Sequence, residues 1–104
     1  MNKQDIIAAV IPVLRQYPVT RASFFGSYAR GDFTQNSDID ILVEFGVESV
    51  GLMFYSLRED LVNVLKTELD LIHKPGLIRM EQEFQNNVRA EEEVFYEKNS
   101  TANP

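Results

Sequence analysis

The residues best suited to chemistry lie in two short stretches before the middle of the chain. In the first, Gly26 permits a tight turn that brings the backbone close to a phosphate, and Ser27 offers both a hydroxyl and a backbone N–H. Arg30 follows and is a candidate to pair with a phosphate. Ten residues separate Ser27 from Asp38, and Asp40 lies two positions further on. The spacing indicates a phosphate-binding turn with a pair of carboxylates beside it.

Asp40 is an acid in an apolar setting, because the other positions of 39–43 are all apolar. Such a run is typical of a buried strand, where an unpaired carboxylate is costly. Carboxylate oxygens are ligands that Mg²⁺ prefers, so a metal ion is one explanation for the acid. A structural pairing with Arg21 or Arg30 is the alternative.

The strand pattern places the two acids together. A strand over Asp38–Phe45 puts Asp38 and Asp40 on one face, with their Cα atoms about 7 Å apart at the usual rise per residue. Leu42 and Glu44 share this face. The opposite face carries the apolar alternation Ile39, Ile41, Val43 and Phe45.

A third acid stands in a similar setting. Asp70 lies between two leucines in a predicted strand over Glu68–His73. Three carboxylates that converge repel one another unless cations neutralise them. Two Mg²⁺ ions held by such acids stabilise the charge that develops when a nucleotidyl group leaves a nucleoside triphosphate, and Asp70 completes the ion that activates the attacking oxygen. The set therefore predicts a two-metal site.

Helices and strands of ordinary length position these residues. The spacing of apolar residues predicts a helix over Lys3–Gln16, with its buried face formed by Ile6, Ile7, Val10, Ile11 and Leu14. Pro12 predicts a kink or a helix end nearby. Val19–Phe25 is a predicted strand and 32–37 a predicted loop.

The second half of the chain also contains predicted helices. A helix is predicted over Leu52–Lys66 from the spacing of Phe54, Leu57, Leu61, Val64 and Leu65, and a last helix from Leu77, Met80, Phe84 and Val88. The sequence leaves open whether 94–96 is helix or strand.

Several polar and aromatic residues have ordinary structural interpretations. Ser37 is expected to be a turn residue, and His73 to end its strand. The acidic run 91–93 is typical of a solvated face, although it is also suited to a basic partner. Core positions are expected for Phe54, Tyr55 and Phe84, with stacking on adenine as the second interpretation.

Composition narrows the function further. The chain of 104 residues with 44% hydrophobic content has room for one domain, expected over 1–97 with a disordered tail over 98–104. Sixteen acidic and 10 basic residues give a net charge of −6, which argues against direct nucleic-acid binding. There is no cysteine, so a cytoplasmic location suits the chain. The apolar run 6–14 is too short for a membrane span.

The motifs resemble those of a known superfamily. Gly26-Ser27, the Asp38-Ile39-Asp40 triplet and Asp70 are similar to the signature of DNA polymerase β-type nucleotidyltransferases. The longer motifs Gly-Ser-Tyr-Ala-Arg-Gly and Ser-Asp-Ile-Asp resemble those of the minimal nucleotidyltransferases. Many of these are antitoxins encoded beside a HEPN ribonuclease toxin.

The resemblance implies an α/β fold, with a small mixed sheet flanked by helices. It implies that Asp38, Asp40 and Asp70 hold Mg²⁺ and that the phosphates of ATP bind near Gly26 and Ser27. It further implies that AMP is transferred from ATP to a tyrosine of a HEPN-type toxin, with which the chain forms a hetero-oligomer.

Two other functions fit the same residues. In the first, the enzyme transfers the nucleotidyl group to a small hydroxylated molecule such as an aminoglycoside, as larger relatives do. The absence of room for a second, acceptor-binding domain in a chain of this size argues against it. A non-catalytic module that masks a toxin by occlusion is the alternative from a different class, and there the acidic surface matters more than a metal.

Overall fold

The computed structural model describes residues 2–73, 82, 86 and 91–98. Along them lie α1 (Lys3–Leu14), β1 (Val19–Phe25), α2 (Ser27–Arg30), β2 (Ile39–Phe45), α3 (Met53–Leu65), β3 (Leu69–His73) and β4 (Glu93–Glu97).

The strands form one mixed sheet. Its order is β3-β2-β1-β4, with β1 antiparallel to both β2 and β4, and β2 parallel to β3. The parallel pair is joined by the crossover helix α3, as parallel neighbours require. The α/β fold with a mixed sheet and helices is therefore confirmed.

Helix α1 begins with a capping box in which Asn2 accepts from the backbone of Asp5 and Asp5 accepts from the backbone of Asn2. Pro12 lies inside the helix on its exposed side, and the helix ends two residues later at Leu14 rather than at the expected Gln16. An end near the proline was predicted, because proline removes one backbone hydrogen bond.

The core lies between α1, α3 and one face of the sheet. Both helices contribute a row of buried side chains, and β2 contributes Ile39, Ile41 and Val43 as the alternation predicts. The rows are Ile6, Val10, Val13 and Leu14 from α1, and Leu57, Leu61 and Leu65 from α3. The predicted face of α1 is corrected at one point, since Val13 is buried whereas Ile7 and Ile11 are half-buried.

The core expectation for Tyr55 is wrong, and Val64, which belongs to the apolar spacing of the predicted helix, also lies outside the core. Val64 is 40% exposed and Tyr55 is 65% exposed. The four-residue repeat of Leu57, Leu61 and Leu65 already fills the buried stripe, and Val64 projects about 100° away from Leu65 around the helix axis. Phe54 packs against the core as expected.

The C-terminal predictions are resolved only in part. Residues 94–96 belong to strand β4, which settles the choice that the sequence left open. Gln82, Asn86 and Glu91 are helical. The rest of the predicted last helix, including Phe84, and residues 99–104 of the predicted tail lie outside the described residues. Within the described residues, no helix is long and apolar enough to cross a membrane.

Candidate active site

Gly26 forms the turn between β1 and α2. Its backbone has φ +68° and ψ −145°, a region that side chains rarely adopt. A Cβ atom at this position would lie 2.5 Å from Oδ2 of Asp40. Glycine is therefore required twice, by the backbone conformation and by the close approach of the carboxylate.

The turn leads directly into a helix that the sequence did not predict. Ser27 begins the four-residue helix α2, and Gly31 ends it in the left-handed conformation with φ +86°. A glycine just past the last helical residue is a common helix terminator, which was the available signal. The predicted tight turn at Gly26-Ser27 is confirmed.

The register of the parallel strands brings two acids together. Asp40 on β2 lies directly opposite Asp70 on β3. Their side chains share a hydrogen bond, with Asp40 half-buried and Asp70 exposed. The expectation that Asp70 meets the acids of the second strand is therefore correct for Asp40.

Asp40 is strongly perturbed by its surroundings. Burial raises the pKa of Asp40 to about 7, and the hydrogen bond to Asp70 and the negative charges of Asp70 and Asp38 act in the same direction. The charge of Arg30 counteracts this rise. A hydrogen bond between two carboxyl groups needs one shared proton, and the raised pKa of Asp40 favours a proton on this pair.

The alternative explanation for Asp40, a structural pairing with an arginine, is wrong. Arg21 pairs with Glu44 at 3.3 Å and with Glu92 at 3.8 Å. Arg30 has its own carboxylate partners, which belong to 32 and 91. Because a paired arginine would lower the pKa of Asp40 well below its ordinary value, the raised pKa supports the same conclusion.

The described residues contain no group of three or more histidine, cysteine or acidic side chains already arranged around a metal position. Asp38 is exposed just before β2, where it affects Asp40 through its charge. The chemistry of the donors nevertheless fits Mg²⁺, since the acid pair supplies only oxygen ligands. An ion held by all three acids requires the Asp38 side chain to turn toward the pair and the shared proton to leave.

Two neighbouring residues have the structural roles that the sequence predicts. The Oγ atom of Ser37 accepts from the backbone N–H of Thr34 at 2.8 Å within the loop before β2. His73 is the last residue of β3, and its ring lies 4.9 Å from that of Phe54.

The acidic run 91–93 is not the solvated face that its composition predicts. Its three carboxylates contact three different elements: Glu91 pairs with Arg30 on α2, Glu92 accepts from Ser23 on β1, and Glu93 pairs with Lys3 on α1. These contacts span more than sixty residues of sequence, and no local pattern indicates them.

A cavity of about 320 Å³ lies next to the acids but on the other side of the sheet. Ile39 contributes to its wall together with Tyr28 and Leu65, all three of which belong to the core face. Asp40 projects from the opposite face of β2. The cavity is therefore separate from the carboxylate pair.

Comparison with known proteins places the chain in a family. Residues 8–99 match the model described as nucleotidyltransferase domain. The chain belongs to this nucleotidyltransferase family. The enzyme class and the superfamily that its motifs resemble are thereby confirmed.

Relatives of similar size come from archaea. A Methanocaldococcus jannaschii protein named as a candidate protein adenylyltransferase is 46% identical over 72 residues, which cover 69% of this chain and 77% of the relative. The protein adenylyltransferase MntA of Thermococcus cleftensis is 37% identical over 75 residues, which cover 71% of this chain and 76% of MntA.

Solved structures share the fold of this nucleotidyltransferase at lower identity. A candidate minimal nucleotidyltransferase superposes with a TM-score of 0.70 at 24% identity and covers 89% of this chain and 95% of its own. A toxin–antitoxin structure with AMP-PNP gives 0.69 at 23% identity, with coverages of 91% and 76%. A complex of the tri-AMPylated Shewanella oneidensis HEPN toxin with an MNT antitoxin gives 0.65 at 21%, with coverages of 91% and 72%. These likenesses establish the fold.

Proposed function

We propose that this nucleotidyltransferase transfers AMP from ATP to a tyrosine hydroxyl of a cognate HEPN-type ribonuclease toxin and thereby acts as its antitoxin. The observation that carries the proposal is the contact of three residues from three elements: the turn glycine Gly26 abuts Asp40, and Asp40 bonds to Asp70. Relatives named as protein adenylyltransferases and the fold shared with HEPN–MNT complexes support the choice of substrates.

The chemistry is an in-line substitution at phosphorus. A bond forms between the tyrosine oxygen and the α-phosphorus of ATP, and the bond from that phosphorus to the bridging oxygen breaks, so that pyrophosphate leaves. In this proposal Asp70, the exposed member of the acid pair, takes the hydroxyl proton of the acceptor. Asp38, Asp40 and Asp70 would hold Mg²⁺, which would neutralise the charge that develops on the phosphates.

The turn and the short helix bind the phosphates. Gly26 lets the backbone approach without a side chain, and Ser27 provides its N–H and hydroxyl at the start of α2. Arg30 lies three residues further on, where its charge reaches Asp40. These groups orient the nucleotide so that its α-phosphate lies at the acid pair.

A protein acceptor fits the exposure of the site. Asp70 is exposed, whereas Asp40 is half-buried behind the turn. The face of the pair that is open to solvent is therefore the one that receives the acceptor hydroxyl. A tyrosine on the surface of a second protein can reach this position.

The test is transfer of label from α-labelled ATP, with Mg²⁺, to the co-encoded partner protein. Wild-type chain is expected to label a partner tyrosine, and Asp70→Asn to lose at least about a hundredfold in rate. Glu59→Gln, which removes an exposed acid from α3, is the matched control and is expected to retain the wild-type rate. Absence of label with wild type, or equal labelling by Asp70→Asn, contradicts the proposal.

The same assay separates the two alternatives. Efficient turnover of a small hydroxylated acceptor without a protein partner identifies a small-molecule transferase. Protection of cells from the toxin by a folded variant with Asp38, Asp40 and Asp70 all changed to Asn identifies a masking module instead. The proposed function predicts neither result.

A further inference from the structure

Arg30 is held by two carboxylates that come from different parts of the chain. Its Nε atom donates to Oδ2 of Asp32 at 3.2 Å, and its Nη1 atom donates to Oε1 of Glu91 at 3.2 Å. Asp32 lies two residues away, whereas Glu91 comes from the segment just before β4. The third nitrogen, Nη2, takes part in neither bond.

The position of Arg30 links these carboxylates to the phosphate-binding turn. The backbone N–H of Arg30 donates to the carbonyl of Gly26 at 3.1 Å, so the arginine sits one helical turn from the glycine. Its charge acts on Asp40, which lies against the same glycine. A guanidinium in this place is directed either into the site or into solvent, depending on how its side chain is held.

An arginine held by nothing would not bind phosphate well. Its long side chain loses rotamer entropy on binding, and a guanidinium that is already ordered loses less of it. The side chain of Arg30 is 45% exposed, so packing alone does not fix it. Its orientation therefore depends on its two carboxylate partners.

The two partners contribute unequally. The side chain of Glu91 is 33% exposed and that of Asp32 is 64% exposed. An ion pair that is less exposed is less weakened by solvent and salt. In addition, Glu91 directly precedes two residues that are held in place, because Glu92 contacts β1 and Glu93 contacts α1. Glu91 is consequently the more rigid support.

We infer that Glu91 is a positioning residue that orients the guanidinium of Arg30 toward the phosphates of the bound nucleotide. The inference rests on the proposed function to the extent that ATP is the nucleotide at the Asp40–Asp70 site. The inference gives Glu91 a role in nucleotide binding that the Gly-Ser and Asp-Ile-Asp motifs do not indicate.

The test measures ATP binding by the full chain in the presence of Mg²⁺, by calorimetry and without any acceptor. Glu91→Gln is expected to weaken binding about tenfold, because it removes a charge-assisted hydrogen bond that pre-organises Arg30. Glu93→Gln is the matched control, since it removes an acid of the same run whose pair with Lys3, at 2.7 Å, lies on α1. It is expected to leave ATP affinity unchanged.

A double-mutant cycle separates positioning from a general loss of structure. In an Arg30→Gln background, Glu91→Gln is expected to have no further effect on ATP affinity, because the group that it positions is gone. Thermal melting of each variant verifies that the fold is retained. Equal weakening by Glu91→Gln and Glu93→Gln, or an additive loss in the Arg30→Gln background, overturns the inference.

Failure of the proposed function can be distinguished from failure of this inference by comparing ATP binding with tyrosine labelling. A wild-type chain that binds ATP but labels no tyrosine refutes the proposed acceptor and leaves the comparison of ATP affinities decisive for Glu91. A wild-type chain that binds no ATP overturns both.

Discussion

Two groups of acids in this chain have opposite surroundings. In the run 91–93, each carboxylate has its own partner: a lysine, an arginine or a buried hydroxyl. Asp40 and Asp70 instead face each other across two strands, with the charge of Asp38 adding to the repulsion. The run 91–93 therefore contributes to the stability of the fold, whereas the repulsion between Asp40 and Asp70 lowers it.

The difference supports the proposal that the second group is the functional one. Strained or repulsive groupings persist where function requires them, because the rest of the fold is stable enough to tolerate them. Arg30 lies close enough for its charge to act on Asp40, yet its guanidinium pairs with Asp32 and Glu91. Under the proposed function, this arrangement leaves the carboxylates available for cations that arrive with the nucleotide.

The largest effect is expected from Asp40→Asn. The variant is expected to lose AMP transfer by at least about a hundredfold, because it removes a carboxylate of the proposed metal site. The same change is expected to raise the free energy of unfolding of the metal-free chain by about 1 kcal/mol at pH 8, once solvent screening of a half-exposed group is allowed for. Transfer assays and denaturant titration measure the two quantities. A variant that is both inactive and less stable contradicts the contrast between the two groups.

Gly26→Ala is expected to destabilise the chain by about 3 kcal/mol, because it adds backbone strain to a clash with Asp40. The control is Gly51→Ala, which also has a positive φ of +51° but meets nothing within 4 Å of an added Cβ. It is expected to cost about 1 kcal/mol through backbone strain alone. Denaturant titration of both variants measures the difference. Equal losses would show that the approach of Asp40 to the turn contributes nothing.

The stability of the metal-free chain is expected to depend on pH through Asp40. The pKa of Asp40 is about 7 in the fold and 3.8 as its ordinary value, so between these values the folded chain binds more protons than the unfolded one. Its contribution to the free energy of unfolding therefore falls as pH rises through this window. Thermal melts from pH 4 to 8 are expected to show a fall that is smaller in Asp40→Asn. An equal pH dependence in both chains contradicts the assignment.

The smallest effects are expected within the run 91–93. Glu92→Gln is expected to cost about 1 to 2 kcal/mol, because its partner Ser23 is buried and loses a hydrogen bond to a charged group. Glu93→Gln is expected to cost less than about 0.5 kcal/mol, because its pair with Lys3 is exposed. Denaturant titration ranks the two variants. Stabilisation by either change would place this run in the same category as the Asp40–Asp70 pair.

Much of the site was predictable because its parts are local. The strand Val19–Phe25 has the predicted bounds, since a run of strand formers ends at Gly26. Alternation alone placed Asp40 on the face opposite the core residues Ile39 and Ile41. The position of Asp70 between two leucines indicated a second strand with an acid on the same face.

What the sequence did not reveal depends on distant contacts. Glu91 and Arg30 are 61 positions apart, so no spacing rule connects them. Tyr55 has the composition of a core residue but lies on the outer side of α3, which is set by how the helix docks on the sheet. The raised pKa of Asp40 likewise depends on the register between β2 and β3, which the sequence of neither strand specifies alone.

The most direct test of the central claim is the intact mass of the cognate partner after co-expression with this chain or with its Asp40→Asn variant. The account predicts that the partner gains the mass of AMP, localised to a tyrosine, with the wild-type chain and remains unmodified with a variant that is folded and still binds it. An unmodified partner with the wild-type chain, or the same adduct with Asp40→Asn, would contradict it.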